Sequence, residues 1–144
     1  MKWKQLNDGD LRSFAVIFDS GDEVVRDLTT FAQEQKLTAA QFTGIGAFQR
    51  VTLGFFDWES KDYEEIPVDE QVEVVALLGD IAVGADDAPA LHPHVVVSRR
   101  DGSALGGHLL KGTVRPTLEV VLHETPAHLR RCKDKETGLA LISI

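Results

Sequence analysis

Only one stretch of this chain carries helical periodicity, and nothing else in the sequence narrows the possible folds as much. Val24, Val25, Leu28, Phe31 and Ala32 recur at helical spacing through about Lys36, which is the apolar stripe of an amphipathic helix. Ser20-Gly21-Asp22-Glu23, just before it, has the form of a capping box. The remainder reads as β-strand. Leu11–Phe18 sets Phe14, Val16 and Phe18 on one face and Ala15 and Ile17 on the other; both faces are apolar, as in a strand covered on both sides. Ala39–Thr43 is a short strand ending at Gly44-Ile45-Gly46. Phe48–Trp58 is rich in β-branched and aromatic residues, with Tyr63–Val68 as its hairpin partner across Glu59–Asp62. Val72–Val83 is a long, mostly apolar strand. His92–Ser98 and Ser103–Leu110 flank Arg99-Arg100-Asp101-Gly102, and Asp-Gly is a hairpin turn signal. Val114–Glu124 and Leu139–Ile144 complete the set. Many strands, short turns and one main helix predict an α+β fold, a largely antiparallel sheet packed with the helix. No repeat, linker or low-complexity tract interrupts residues 1–144, so one compact domain is expected.

A chain of 144 residues can bury a sizeable core without disulfide or metal staples. Its one cysteine, Cys132, has no partner for an internal bridge, which points to a reducing, cytoplasmic setting. No apolar run approaches the roughly 20 residues of a membrane span, and Met1-Lys2-Trp3-Lys4-Gln5 lacks the apolar core of a signal peptide. The formal net charge of −8 disfavours nonspecific adhesion of the whole surface to nucleic acid. That charge is localised: Asp57–Glu73 holds eight acids and one base, whereas the rest of the chain nets −1. The segment reads as a solvated hairpin with charged outer positions, or as a surface that attracts a basic partner.

The histidines carry the chemistry. His92 and His94 are two apart in a strand-like run, so their side chains share a face. His108 follows Gly106-Gly107 on the next strand. With the hairpin turn at Asp101-Gly102, His94 and His108 lie side by side across the ladder, and the two glycines permit close backbone approach beside a ligand. Three neutral imidazoles with an open position suit a divalent metal, zinc above all, with iron, nickel or copper as alternatives. His123 is a weaker ligand candidate, and His128, in a polar turn, reads as surface. Glu119 stands among apolar residues and reads either as a buried carboxylate near the site, a candidate acid or base, or as an exposed strand position.

These residues also carry a resemblance. Gly44-Ile45-Gly46-Ala47-Phe48, Gly54-Phe55-Phe56-Asp57, Tyr63, Glu73 to Ile81, His92-Pro93-His94, Asp101-Gly102, Gly106-Gly107-His108-Leu109 and Thr117-Leu118-Glu119-Val120 stand in the order found in the plants-and-prokaryotes-conserved (PPC) domain. The chain resembles that family from about Phe14 to His123. The resemblance implies a compact domain that assembles as a homotrimer, free-standing in prokaryotes, with His92, His94 and His108 as metal ligands. Plant members add an AT-hook, an Arg-Gly-Arg-Pro core for the minor groove; this sequence contains none. The plant partner-binding segment corresponds to Glu70 through Val75, with Glu70-Gln71 replacing its Gly-Arg pair. The three-histidine layout is also similar to that of acetolactate decarboxylase.

Three functions follow as expectations. The first is a trimeric metal-binding protein that takes a small-molecule ligand beside Gly106 and Gly107. The second is DNA binding, as the family label implies, through Arg99-Arg100 and the basic run Arg130-Arg131-Cys132-Lys133-Asp134-Lys135. The third is a metal-dependent lyase or hydrolase in which Glu119 or Glu73 handles protons.

Overall fold

The computed structural model describes residues 1–126 and 128–144. Its elements are β1 (Lys2–Gln5), β2 (Ser13–Asp19), α1 (Val24–Glu34), β3 (Ala39–Asp57), β4 (Asp62–Val68), β5 (Val72–Val83), β6 (Pro89–Ser98), β7 (Ala104–Glu124), β8 (Arg130–Lys133) and β9 (Ala140–Ser143). This is the expected α+β domain, antiparallel throughout the described residues except for one parallel bridge, Val83 to Arg130.

Two strands organise it. β3 has 19 residues and β7 has 21, and they pair from Ala40↔Glu124 to Gly54↔His108. The sequence pattern predicts each as two shorter strands, the first of them ending at Gly44-Ile45-Gly46. Both strands instead run through, and register shifts at Gly44/Gly46, Gly46/Phe48 and Phe48/Arg50 bend the ladder. Bending lets each long strand serve different neighbours along its length. The first half of β3 pairs with β5 and the second with β4. The end of β7 pairs with β2 and its start with β6. Because β6 also pairs with β5, the pairings β3–β5–β6–β7–β3 close into a ring.

The helix is shorter than expected and is capped by Glu23, not Ser20. The Glu23 carboxylate accepts from Val25 N (3.4 Å), Arg26 N (2.8 Å) and, across the structure, Gly112 N (2.9 Å). Residues 19–22 form a turn closed by Asp22 N donating to Asp19 O, and Ser20 Oγ donates instead to Pro116 O. The capping-box spacing is therefore present without its hydrogen bonds. Val24, Leu28, Phe31 and Ala32 enter one core with Phe14, Phe42, Phe48, Leu77, Val97 and Leu118. Phe31 meets Phe14 and Trp3 edge to face, at 5.3 and 5.5 Å between ring centroids.

Two edge features lie outside the sequence expectations. All four residues of β1 are exposed, so no burial pattern betrays it. β8 falls in the basic run Arg130–Lys135 that motivates DNA binding, yet Arg131 within it is buried. No helix among the described residues is long and apolar enough to cross a membrane.

Candidate metal centre

The ring closure brings the three histidines together. β6 carries His92 and His94 on one face, and the β6–β7 ladder sets His94 directly opposite His108, as the hairpin at Asp101-Gly102 requires. Pro93 between them pairs with Gly79 of β5, at a point where β7 has not yet joined β6. β6 thus has a neighbour on one side only, the kind of edge position proline tolerates. Gly79 is itself demanded by the packing: a Cβ there would lie 2.5 Å from His92 O and 2.5 Å from Phe42 Cζ.

The imidazoles converge. His92 Nε2 and His94 Nε2 are 3.2 Å apart, and ring centroids of the three residues are separated by 5.0–5.3 Å. One ligand nitrogen from each lies within 4.8 Å of the others. Two imidazole nitrogens bound at about 2.0–2.1 Å to one tetrahedral zinc would stand roughly 3.3 Å apart, so the His92–His94 spacing fits such an ion. His108 Nδ1 is buried and has no hydrogen-bond partner, an unusual state for a ring nitrogen. The ring of Tyr63, from β4, lies over His108 with centroids 4.7 Å apart, and Phe56 backs Tyr63 edge-on.

Local electrostatics favour the neutral form of His92 and His108. Burial above all, then His92, His94 and Arg131, push the His108 pKa down to about 4. Burial likewise lowers His92, assisted by Arg131 and His94 and opposed by Asp80. Neutral imidazole is the metal-binding form.

Sequence reasoning overlooks two residues here. Asp80, on β5, is paired in register with His92, and its Oδ2 lies 3.9 Å from His92 Nδ1. Its Oδ1 accepts from Arg131 Nη2. The signal was present: Asp80 is a lone carboxylate in the apolar run Leu77 to Val83, the argument applied above to Glu119. Glu119 itself is exposed. It pairs with Ile45 and Ile17, eleven residues along β7 from His108, and lines a shallow depression of about 450 Å³ with Glu73, Ile45 and Val75. It does not join the histidines. His123 is exposed, 2.9 Å from Ser13 Oγ through Nδ1, and His128 is exposed as expected. Gly107 passes close to β3, where a Cβ would lie 2.8 Å from Gly54 O, whereas Gly106 faces more open space. A second shallow depression, about 410 Å³, is lined by Gln41, Thr43, Leu78, Asp80, His92 and His94.

The charged stretches are solvated or paired. Seven of the eight acids of Asp57–Glu73 are exposed and Asp57 is half-buried. Arg99 pairs with Glu70 and Arg130 with Asp87, each at 2.8 Å.

Fold and site together define a class: a β-rich α+β domain whose ring of strands carries a three-imidazole centre on its surface. The family model of the Plants and Prokaryotes Conserved (PCC) domain matches residues 5–126, and the chain belongs to that family. A structure from Ralstonia eutropha JMP134, named as a candidate DNA-binding protein, is 27% identical with a TM-score of 0.88, covering 99% of this chain and 96% of its own. A metal-containing protein from Archaeoglobus fulgidus is 28% identical with a TM-score of 0.84, covering 99% and 97%. Alpha-acetolactate decarboxylase from Bacillus subtilis strain 168 is 12% identical with a TM-score of 0.56, covering 88% and 58%, a likeness of fold alone. A sequence search of the curated proteins found no match.

Proposed function

We propose that this chain is a metal-binding member of its family, holding a divalent cation, zinc, at His92, His94 and His108 and assembling as a homotrimer. The observation that carries the reading is the convergence of three imidazoles, with His92 and His94 Nε2 3.2 Å apart and a buried, unpartnered nitrogen on His108. The name of the Archaeoglobus relative supports it. Bound there, zinc would supply Lewis acidity at an open position facing solvent, where a small ligand is accommodated. Around that position Tyr63 walls His108 and Asp80 backs His92. Assembly is supported by exposed apolar residues: Leu78, which pairs with His94, is 53% exposed, and Ile45 and Val75, 61% and 55% exposed, lie farther along the sheet in the depression with Glu119. Such a strip marks an interaction surface.

Metal analysis of untagged protein tests the centre. About one zinc per chain is expected, lost in a His92→Ala, His94→Ala, His108→Ala variant; substoichiometric metal unchanged by that variant overturns the reading. Light scattering tests the assembly: a mass of three chains is expected, falling in Ile45→Glu and Val75→Glu. A lyase reading rests on the shared histidine pattern, and turnover of small keto acids abolished by a chelator is its test.

A further inference from the structure

We infer that Asp80 and Arg131 form a positioning relay for His92, in which the C-terminal hairpin sets the orientation of a metal ligand. The inference rests on the metal-binding reading above. Its basis is a chain of contacts that ends in a residue outside the family match, which stops at residue 126.

Among the described residues Arg131 is the one charged residue in the buried set, 5% exposed. A guanidinium is rarely buried without compensation. Here Nη2 donates to Asp80 Oδ1 and Nη1 donates to Ala140 O at 3.1 Å. The other Asp80 oxygen faces His92 Nδ1. The relay thus runs from the β9 backbone through Arg131 and Asp80 to His92. It also explains why β8 sits where it does. Among the described residues, beyond the Val83–Arg130 bridge, the hydrogen bond from Val83 N to Leu129 O and the exposed Arg130–Asp87 pair, β8 pairs with β9 alone. Arg131 is the hairpin's buried attachment to β5.

The chemical consequence concerns which nitrogen of His92 carries the proton. A carboxylate beside Nδ1 favours the proton there and leaves the Nε2 lone pair free. That lone pair is the one that points toward His94 Nε2. Ligating histidines are commonly oriented by a carboxylate in this way. At 3.9 Å the contact is longer than a hydrogen bond, so the carboxylate must close on the ring when a cation draws on Nε2. Arg131, which holds the other oxygen, limits how far Asp80 can turn and keeps it from swinging out to solvent.

The relay makes a prediction that a simple field effect does not. A cation at Arg131 repels a divalent ion, so if Arg131 acted only through its charge, Arg131→Gln would bind zinc more tightly. If it acts by holding Asp80, Arg131→Gln weakens binding. The experiment measures zinc affinity of the full chain by competition with a chromophoric chelator, and the visible spectrum of the cobalt-loaded protein, for wild type, Asp80→Asn, Arg131→Gln, Arg131→Lys and the Asp80→Asn/Arg131→Gln double variant. Circular dichroism of the metal-free proteins reports folding. Expected is a loss of about 10- to 100-fold for Asp80→Asn, a loss of the same sign for Arg131→Gln, an altered cobalt spectrum in both, and a double variant no worse than Asp80→Asn alone. Arg131→Lys, which keeps the charge but not the forked geometry, is expected to lose affinity as well. Should Arg131→Gln not fold, Asp80→Asn, which replaces one carboxylate oxygen by an amide nitrogen and removes the charge while keeping the shape, carries the test. Wild-type affinity in Asp80→Asn, or tighter binding in Arg131→Gln, overturns the relay alone. A wild-type chain that binds no zinc overturns the metal reading and the relay with it.

Discussion

Replacing Gly79 with alanine should press on the three-histidine cluster through the backbone. The added methyl would lie 2.5 Å from His92 O, 2.5 Å from Phe42 Cζ and 3.0 Å from Pro93 Cα. Non-bonded carbons settle at about 3.5–4.0 Å, so the Phe42 ring would have to retreat by roughly 1 Å. Phe42 is 1% exposed, in a core packed too closely to absorb that freely. The other neighbour is the backbone of His92 itself. Overpacking of this kind costs about 1–3 kcal/mol. Alanine recovers about 0.5–1 kcal/mol through its smaller backbone entropy loss, leaving a net loss of about 1–2 kcal/mol. Against a total stability of about 5–15 kcal/mol that is readily measured. Urea unfolding should show a midpoint lower by about 1 M at a slope near 1.5 kcal/mol/M, with the slope unchanged. Gly106→Ala is the control, because its nearest contact would be 3.3 Å away at Val95 O, and it should shift stability by less than about 0.5 kcal/mol. A Gly79→Ala midpoint equal to wild type, or equal losses in the two variants, would refute the close-approach argument.

Truncating Phe31 to alanine removes a 0%-exposed ring that meets both Phe14 and Trp3, and should cost about 3–5 kcal/mol by chemical denaturation; a loss under about 1 kcal/mol would mean the helix is not anchored by this cluster. Glu124 accepts from Arg12 Nη2 at 2.6 Å and Arg12 Nε at 2.9 Å, and Arg12 holds its carboxyl below the usual carboxylate range. A folded-state pKa below the unfolded one adds stability that is fully present above the ordinary carboxylate range and is lost as pH falls through the folded value. Denaturation at pH 7 should therefore show a loss of about 1 kcal/mol for Glu124→Gln, kept small by the partial exposure of Arg12. The difference from wild type should vanish at pH 2–3, and a difference that persists there would contradict the assignment.

The fold was legible where burial writes a period into the sequence, and illegible where it does not. α1 and β2 stand out because their buried positions recur regularly. β1 does not, since Lys2, Trp3, Lys4 and Gln5 are all exposed and β1 depends on pairing with β2. The continuity of β3 and β7 was hidden for a different reason. Glycine is read locally as a stop, but at Gly44 and Gly46 it reflects a neighbouring strand too close for a side chain, a tertiary fact. The candidate site divides in the same way. His92, His94 and His108 follow from strand alternation plus one hairpin turn, both local rules. Asp80 and Arg131 are 51 residues apart, and no spacing rule joins a lone acid in an apolar strand to one arginine in a charged segment. Glu119 shows the ambiguity from the other side. Its apolar neighbours left burial and exposure both open; on a strand they alternate, and Glu119 falls on the outer face with Ile45 and Val121.

The same placement bears on nucleic acid, the function named for the Ralstonia relative. Of the basic residues that motivate DNA binding in the sequence, Arg131 is buried against Asp80, Arg130 pairs with Asp87 and Arg99 pairs with Glu70. A cation already neutralised within the protein has little charge left for a phosphate, and counterion release counts only phosphates newly neutralised. Arg100, Lys133 and Lys135 are the exposed remainder of that set, and Asp134 and Glu136 lie beside the two lysines. With about 0.9 in logarithmic slope per phosphate, three contacts give a slope no steeper than about −3 where one chain of the assembly meets the duplex, or a loss under about 10²-fold between 50 and 200 mM salt. Mobility-shift titrations over that range should show either this shallow dependence or no binding, and Arg99→Gln and Arg130→Gln should leave the result unchanged. A loss of 10³-fold or more, reduced by Arg99→Gln or Arg130→Gln, would show that these ion pairs open to meet DNA and would reverse the preference for the metal reading.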